Sequence, residues 1–331
     1  MPRLSLSGML LSLGASLLLL GAAPLSAAQP ELGVAEIHSV GYPTEAAVEE
    51  FARLARLYSN GSLNVRVYPD GQITGNERTA VEMVQKGTVA FARVSVGVLG
   101  TFNSRLNLFG LPYLFDSKQH MWAFLKGPYG RALLDDLAAS GLIGLCWYDA
   151  GARSFYARKP LRGIDDLKGL RVRTHSNPII MRMVQAMGGE AVPLGTSQIL
   201  QALEKGTIDA AENNAPTLLT LGHHRIARHF MLDEHFRLPE VLFMSKVAWE
   251  RLDSEQQRAI RRAADESVVF QREKWDAFER EAMDKLAKAG VEIVPINDVT
   301  PFKNAVKKLV EEESPRYRDA LRAVEEARAK K

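Results

Sequence analysis

The sequence predicts an α/β protein in two lobes, and three observations carry that expectation. The chain of 331 residues exceeds the roughly 250–300 that one hydrophobic core serves before a chain divides. From Glu31 onward, short β-like apolar runs take turns with helical patterns, the grammar of an α/β architecture with a mainly parallel sheet. Residues 254–288 then hold no Pro or Gly and are rich in Ala, Glu, Arg and Lys. They predict one helix of about 35 residues, about 50 Å at 1.5 Å per residue, long enough to brace both lobes.

The elements follow in order. Residues 34–37 read as a strand, and Thr44 is expected to cap a helix whose apolar positions Ala47, Phe51, Leu54 and Leu57 recur at helical spacing until Asn60-Gly61 stops it. Residues 63–68 alternate as a strand, Pro69-Asp70-Gly71 turns, 77–86 form a helix closed by Gly87, and 88–96 form a third strand. A second series begins with strands at 142–148 and 155–157, then a turn at 164–169 into strand 170–173. Pro178 starts a helix to Met187. Residues 191–194 lead to a helix over 197–204 stopped by Gly206, and strand 208–212 ends at Asn213. A strand at 241–246 precedes the long helix, Thr300-Pro301 opens a last amphipathic helix, and the charged tail 320–331 is expected to fray. No repeat or low-complexity segment interrupts the pattern.

Composition narrows the function classes. With 46% hydrophobic, 24% charged and 8% aromatic residues, a disordered chain, a collagen-like repeat and a coiled coil are poor descriptions. Lys plus Arg total 42 against 39 Asp plus Glu, a net charge of +3, and the basic residues are scattered, so nucleic acid is not an expected partner. Cys146 is the sole cysteine, which excludes an intrachain disulfide framework and a Cys-pair zinc site. Inside Gly144-Leu145-Cys146-Trp147-Tyr148 it reads as a small buried hydrophobe rather than a catalytic thiol.

The N-terminus carries Arg3, an apolar stretch over 9–23, and Ser26-Ala27-Ala28 before Gln29. That is the layout of a secretory signal over residues 1–28. The strongest run, 9–20, is about a dozen residues, short of the roughly 20 that a membrane span needs. The expected product is an exported protein beginning at Gln29, in the space outside a bacterial inner membrane.

Catalytic motifs fail to appear. There is no G-x-G-x-x-G after a strand, no Walker loop, no G-x-S-x-G elbow and no H-E-x-x-H. His223, His224, His229 and His235 match no zinc spacing, and the first three are expected on a solvated or partly packed helix face. No metal or cofactor is implied. The informative residues are arginines at strand ends. Alternation puts Arg171 and Arg173 on one face with Val172 opposite, and Arg153 lies just after the expected lobe junction. A guanidinium fork matches a carboxylate in plane, but spacing alone leaves open whether these arginines face a cleft or are ordinary ion-paired surface groups.

Residues 167–173 (LKGLRVR), 187–194 (MGGEAVPL) and 201–213 (QALEKGTIDAAEN) closely resemble the solute-binding subunit of tripartite ATP-independent periplasmic (TRAP) transporters, of the dicarboxylate-binding type. Residues 69–72, 109–115, 151–156 and 239–246 add further matches, in order, over nearly the whole chain after the signal. The resemblance implies a two-lobed periplasmic-binding-protein fold, each lobe a sheet flanked by helices. Lobe 1 would comprise 29–150 plus about 239–279, and lobe 2 151–238 plus about 280–331. It implies a monomer that holds one organic acid between the lobes and hands it to a membrane permease without catalysis. By position, Arg173 is similar to the family's carboxylate-pairing arginine, Arg153 to a second site arginine, and Asn213 to the asparagine above the ligand.

Residues 151–156 and 234–246, including His235, look most like a branch that binds sugar acids such as glucuronate and galacturonate. His38, Glu77, Arg93 and Ser95 are where that branch would read hydroxyls. Gly195-Thr196-Ser197 stands where many relatives carry an aromatic, which removes ring stacking at Thr196 and leaves room for a hydroxylated or bulkier acid. The competing expectation is an exported enzyme acting on a small carboxylate with His38 or His235 as general base. A scaffold or adhesion protein is disfavoured by the absence of repeats.

Overall fold

A computed structural model describes Met1 and residues 31–329, so the expected secretory segment and its cleavage site lie outside the described residues. The strands are β1 (Glu31–Ala35), β2 (Asn64–Tyr68), β3 (Phe91–Ser95), β4 (Leu142–Tyr148), β5 (Arg153–Ala157), β6 (Arg171–Thr174), β7 (Glu190–Pro193), β8 (Ala210–Asn213), β9 (His229–Phe236), β10 (Glu240–Ser245) and β11 (Glu292–Pro295). They form two sheets, ordered β2-β1-β3-β10-β4 and β11-β9-β5-β8-β6-β7. The expectation of mainly parallel sheets is only half met. β10 runs antiparallel to both β3 and β4, and β5 antiparallel to both β8 and β9. Each of these strands arrives directly from the other sheet, so it needs no crossover helix and enters from the opposite end.

The helix Ser254–Lys288 forms as expected. Asp253 caps it by accepting from the N–H groups of Glu255 and Gln256, and Gln256 reaches back to the Asp253 N–H, a reciprocal capping box. Its first half buries Ala259, Ile260, Ala263 and Ala264 in the core of the first sheet, with Phe51, Phe91 and Leu242. Its last turns bury Ala282 and Leu286 beside Tyr156, Leu203 and Phe230 of the second. One rigid rod therefore spans both lobes. At its middle, Gln271 donates to the Asp149 carbonyl (2.8 Å) and accepts from the Asp149 N–H (2.9 Å), clamping the strand that leaves β4. Gly151, two residues on, has φ +65°, and a Cβ there would lie 2.3 Å from Glu279 Oε1 and 3.1 Å from the Trp275 ring. Both backbone angle and space require glycine at this crossing.

Several local expectations are corrected. The helix Pro43–Tyr58 starts at its proline with no side-chain cap. Thr44 is buried inside it with its hydroxyl 3.0 Å from His38 Nδ1, and Leu57 is 56% exposed rather than on the core face. The tail does not fray over its length, because Arg318–Arg328 is helical and buries Ala320, Val324 and Ala327. It packs on the helix Lys118–Lys126, where His120 Nε2 lies 2.8 Å from the Val324 carbonyl. The preceding helix Thr300–Glu313 packs on Pro178–Ala186 in the other lobe. The last two long helices of the segment 280–331 thus pack on different partners, one earlier and one later in the chain. β7, β9 and β11 were not expected as strands. β9 escapes period reading because its polar Asp233 and His235 are buried with charged partners. Among the described residues no helix is long and apolar enough to cross a membrane.

Candidate ligand-binding site

The two sheets point their strand ends at a shared cavity of about 730 Å³. Glu77 and Gly97 contribute from the first lobe, and Arg173, His175, Thr196 and His223 from the second. Strand ends and helix starts converge there because open α/β sheets leave their unpacked groups at those edges.

On the second-lobe wall, the two arginines of β6 part company. Arg171 is half exposed (41%) and is taken up by Asp209 in a bidentate pair, Nε to Oδ2 at 2.9 Å and Nη2 to Oδ1 at 2.8 Å. Arg173 is 1% exposed. Its Nε donates to the Leu194 carbonyl (2.9 Å), its Nη1 is buried without a hydrogen-bond partner, and no carboxylate lies within pairing distance among the described residues. Burial works against its charge; Glu212 offsets this in part and Arg153 adds to it. A guanidinium nevertheless stays protonated, so Arg173 is a desolvated cation awaiting an anion.

Behind it stands Arg153 on β5, whose charge is already used. Its Nε donates to Glu212 Oε2 (2.6 Å), its Nη2 to Oε1 (2.9 Å) and its Nη1 to Asn213 Oδ1 (2.8 Å). Burial opposes ionisation of Glu212, yet Arg153 and then His235 hold its carboxyl well below the usual carboxylate range. His235 lies further back, its Nδ1 2.7 Å from Asp233 Oδ2 and its Nε2 3.6 Å from Glu212 Oε2. Burial disfavours its charge, but these two carboxylates push it up to about 9.

The first-lobe wall is built around Arg93 on β3, which is fully buried. Its Nε donates to Glu36 Oε2 (2.7 Å), Nη2 pairs with Glu36 Oε1, and Nη1 reaches Glu77 Oε1 (3.2 Å) and Glu240 Oε2 (2.9 Å). One guanidinium thus serves three carboxylates. Glu77 is the one facing the cavity. It opens the helix Glu77–Gln85, held there by the Asn76 cap, and its Oε1 also accepts from the Ser95 N–H (3.0 Å). Burial, with Glu240 next, pushes its carboxyl up to about 7. His38 accepts from Arg93 Nη2 at 2.8 Å through Nδ1 and stacks on Tyr42 at 3.9 Å. Burial lowers its pKa below the usual imidazole range, against the pull of Glu240 and Glu77.

The lobes meet over the cavity. Gly97 lies so close to His175 that an added Cβ would fall 2.5 Å from its Nδ1, and Asn177 Nδ2 donates to Asn107 Oδ1 at 2.7 Å. On the far side the Tyr42 hydroxyl sits 3.2 Å from Thr217 Oγ1.

Residues 34–315 match the family described as bacterial extracellular solute-binding protein, family 7 (DctP). The chain belongs to that family. As a solute-binding protein it is 32% identical over 297 residues to a solute-binding protein of Chromohalobacter salexigens, covering 88% of each chain. Among solved structures, a TRAP periplasmic solute binding protein from Pseudomonas putida F1 with bound D-glucuronate has 36% identity and a TM-score of 0.87, over 89% of this chain and 97% of that one. One from Xanthobacter autotrophicus Py2 with bound β-D-galacturonate has 37% identity and a TM-score of 0.85, over 88% and 98%. The two-lobed fold is shared with them, and the family's members bind small acids for TRAP permeases rather than transforming them.

In this solute-binding protein the residues expected at the site separate into layers. Arg173 and Glu77 line the cavity. Arg153 and Asn213 back the first, Arg93, His38 and Ser95 back the second, and His235 is furthest from it. Neither His38 nor His235 faces the cavity, so neither occupies the place of a general base. Sequence reasoning missed Glu36, Glu240 and His175. Glu36 and Glu240 are carboxylates set in strand-like runs, and His175 follows Arg173 by two positions. A charged residue inside an apolar run was the available signal. His223 is corrected too: it is buried against the Tyr156 hydroxyl (2.8 Å), and burial, then Arg173, lowers it to about 4. His229 lies on β9, paired with Glu292 at 2.8 Å. Thr196 lines the cavity without a ring.

Proposed function

We propose that this protein captures a uronate, D-glucuronate or D-galacturonate, between its lobes and delivers it to a TRAP permease, acting as a monomer exported by cleavage before Gln29. The observation that carries this is Arg173, a buried guanidinium with a free Nη1 and no carboxylate partner among the described residues. A ligand carboxylate supplies both the missing charge and planar acceptors. Across the cavity, Glu77 offers a polar group able to donate or accept near neutral pH, suited to sugar hydroxyls. Arg153 and Asn213 support the carboxylate end, while Arg93, His38 and Ser95 position Glu77. His235 acts through Glu212 to fix Arg153. Bound uronates in similar structures support the same reading. In this reading the lobes divide near residues 150 and 238.

Calorimetry with D-glucuronate, D-galacturonate and succinate tests it, alongside a thermal-shift screen. A ligand at 100 times its dissociation constant adds about 2.7 kcal/mol to folding stability. Binding of a uronate ahead of succinate is the expected result. No heat and no shift with either uronate overturns the assignment.

A further inference from the structure

We infer that Glu77, backed by Glu36 and Glu240, is a charge filter that admits the hydroxylated end of a sugar acid and rejects a second carboxylate, so that aldaric acids are excluded. This rests on the reading that Arg173 takes the single carboxylate of a uronate.

The inference comes from an imbalance of charge between the walls. The second-lobe wall presents one unpaired cation, Arg173, because Glu212 already neutralises Arg153. The first-lobe wall sets Glu36, Glu77 and Glu240 against Arg93, and burial lowers the pKa of His38 beside them, against the pull of Glu240 and Glu77. Among the described residues no cation is spare there. Arg78 reaches the cavity, but it is 60% exposed and paired with Glu82 at 3.2 Å. Asp70, which also lines this side, adds to the negative charge. A hydroxyl arriving at Glu77 finds an acceptor or a proton. A carboxylate finds like charge in a desolvated place, where repulsion is least screened. Glu240 Oε2 is itself buried without a well-aligned hydrogen bond, although Arg93 Nη1 lies 2.9 Å away. The wall already carries more negative charge than its one guanidinium satisfies.

The groups facing Glu77 are Arg93, Glu36, Glu240, His38 and Ser95 from its own lobe and Arg173 from the other. His175 and His223 share the cavity, and both are kept neutral, first by burial. Glu77, pushed up to about 7, is the cavity-facing carboxyl brought into the neutral range, while burial lowers His38 behind it. The filter is strict in alkaline solution and relaxes as the medium is acidified.

The test compares D-glucuronate with D-glucarate, the same carbon chain with a carboxylate in place of the C1 aldehyde. Calorimetry at pH 8.5 on the wild type, Glu77→Gln and Glu240→Gln reads the ratio of their affinities. Glucarate is expected to bind the wild type at least a hundredfold more weakly and to gain at least tenfold on glucuronate in Glu77→Gln, less in Glu240→Gln. Exclusion by shape alone leaves that ratio unmoved. Circular dichroism checks folding. Should the variants not fold, the wild type decides, with glucarate expected to gain at least threefold on glucuronate between pH 8.5 and 5.5, where both ligands remain ionised. Glucuronate that binds while glucarate gains nothing, including undetectable glucarate throughout, overturns the filter alone. Glucuronate that fails to bind the wild type overturns the uronate reading and the filter with it.

Discussion

Arg93 and Arg173 sit on strands of different sheets and both lie almost wholly out of solvent, yet their surroundings are opposite. Arg93 meets Glu36, Glu77 and Glu240, and its donors are spent inside the protein. Arg173 meets a backbone carbonyl and a cavity. The same side chain is a structural counter-ion in one lobe and a reserved ligand donor in the other. The contrast teaches that burial of an arginine says little about its role until every carboxylate around it has been assigned. A buried charge without a partner costs stability; the second lobe carries that cost on an unpaired cation, the first on carboxylates that outnumber their one guanidinium.

The largest effect that would break this contrast is on the Arg93 side. Arg93→Met leaves buried carboxylates uncompensated and is expected to destabilise the protein by about 3–5 kcal/mol. Urea denaturation reads it, and a loss below about 1 kcal/mol would mean that Arg93 is not the counter-ion described.

Arg173→Ala comes next and should show the reverse pattern. Ligand affinity is expected to fall by about 2–5 kcal/mol, roughly 30- to several-thousand-fold, while the ligand-free protein keeps its stability or gains some. Arg173→Lys keeps the charge but not the fork and should also bind poorly. Arg153→Ala should weaken binding less but cost stability, because Glu212 is left buried beside it. Wild-type affinity in folded Arg173→Ala would remove this residue from the site.

A third test uses pH to separate the backing layer from the wall. His235 is raised from 6.5 to about 9, so its contribution is fully present below pH 6.5 and is lost as pH rises through about 9. Stability should therefore fall by on the order of 3 kcal/mol between pH 6.5 and 9.5, and His235→Gln should flatten that slope. A wild-type profile that is flat over this window contradicts the buried Asp233–His235–Glu212 arrangement.

The smallest effect sharpens how the walls meet. Gly97→Ala sets a Cβ 2.5 Å from His175 Nδ1, and overpacking of that kind costs about 1–3 kcal/mol. Because the contact joins the lobes, the cost should appear as about 5- to 150-fold weaker ligand binding with little change in ligand-free stability. Small-angle scattering on the wild type should show compaction with saturating D-glucuronate. An unchanged radius of gyration would argue that the lobes do not close on ligand.

Much of the molecule was legible in the sequence. The helix Ser254–Lys288 and strand β4 formed at the bounds that periodicity gave, because helix propensity and apolar runs act over neighbouring residues. Pro178 and Gly206 mark a start and a stop through local backbone chemistry. β9 and the helix Arg318–Arg328 were not legible. Buried Asp233 and His235 disguise the first, and the charged outer face of the second hides three small apolar residues that matter only once the helix Lys118–Lys126 is beneath them.

The site divides along the same line. The sequence by itself determined an α/β architecture and the brace between the lobes, and its resemblance to the family pointed to the arginines and Glu77 as the groups worth watching. Only the tertiary structure decided that Arg171 and Arg153 are neutralised, that Arg173 is not, and that Glu36 and Glu240 join Glu77 around Arg93. Secondary structure is written in contacts between residues a few positions apart. The free or spent state of a charge depends on residues brought from 59 positions away, as Glu212 is to Arg153, and no local pattern records that distance.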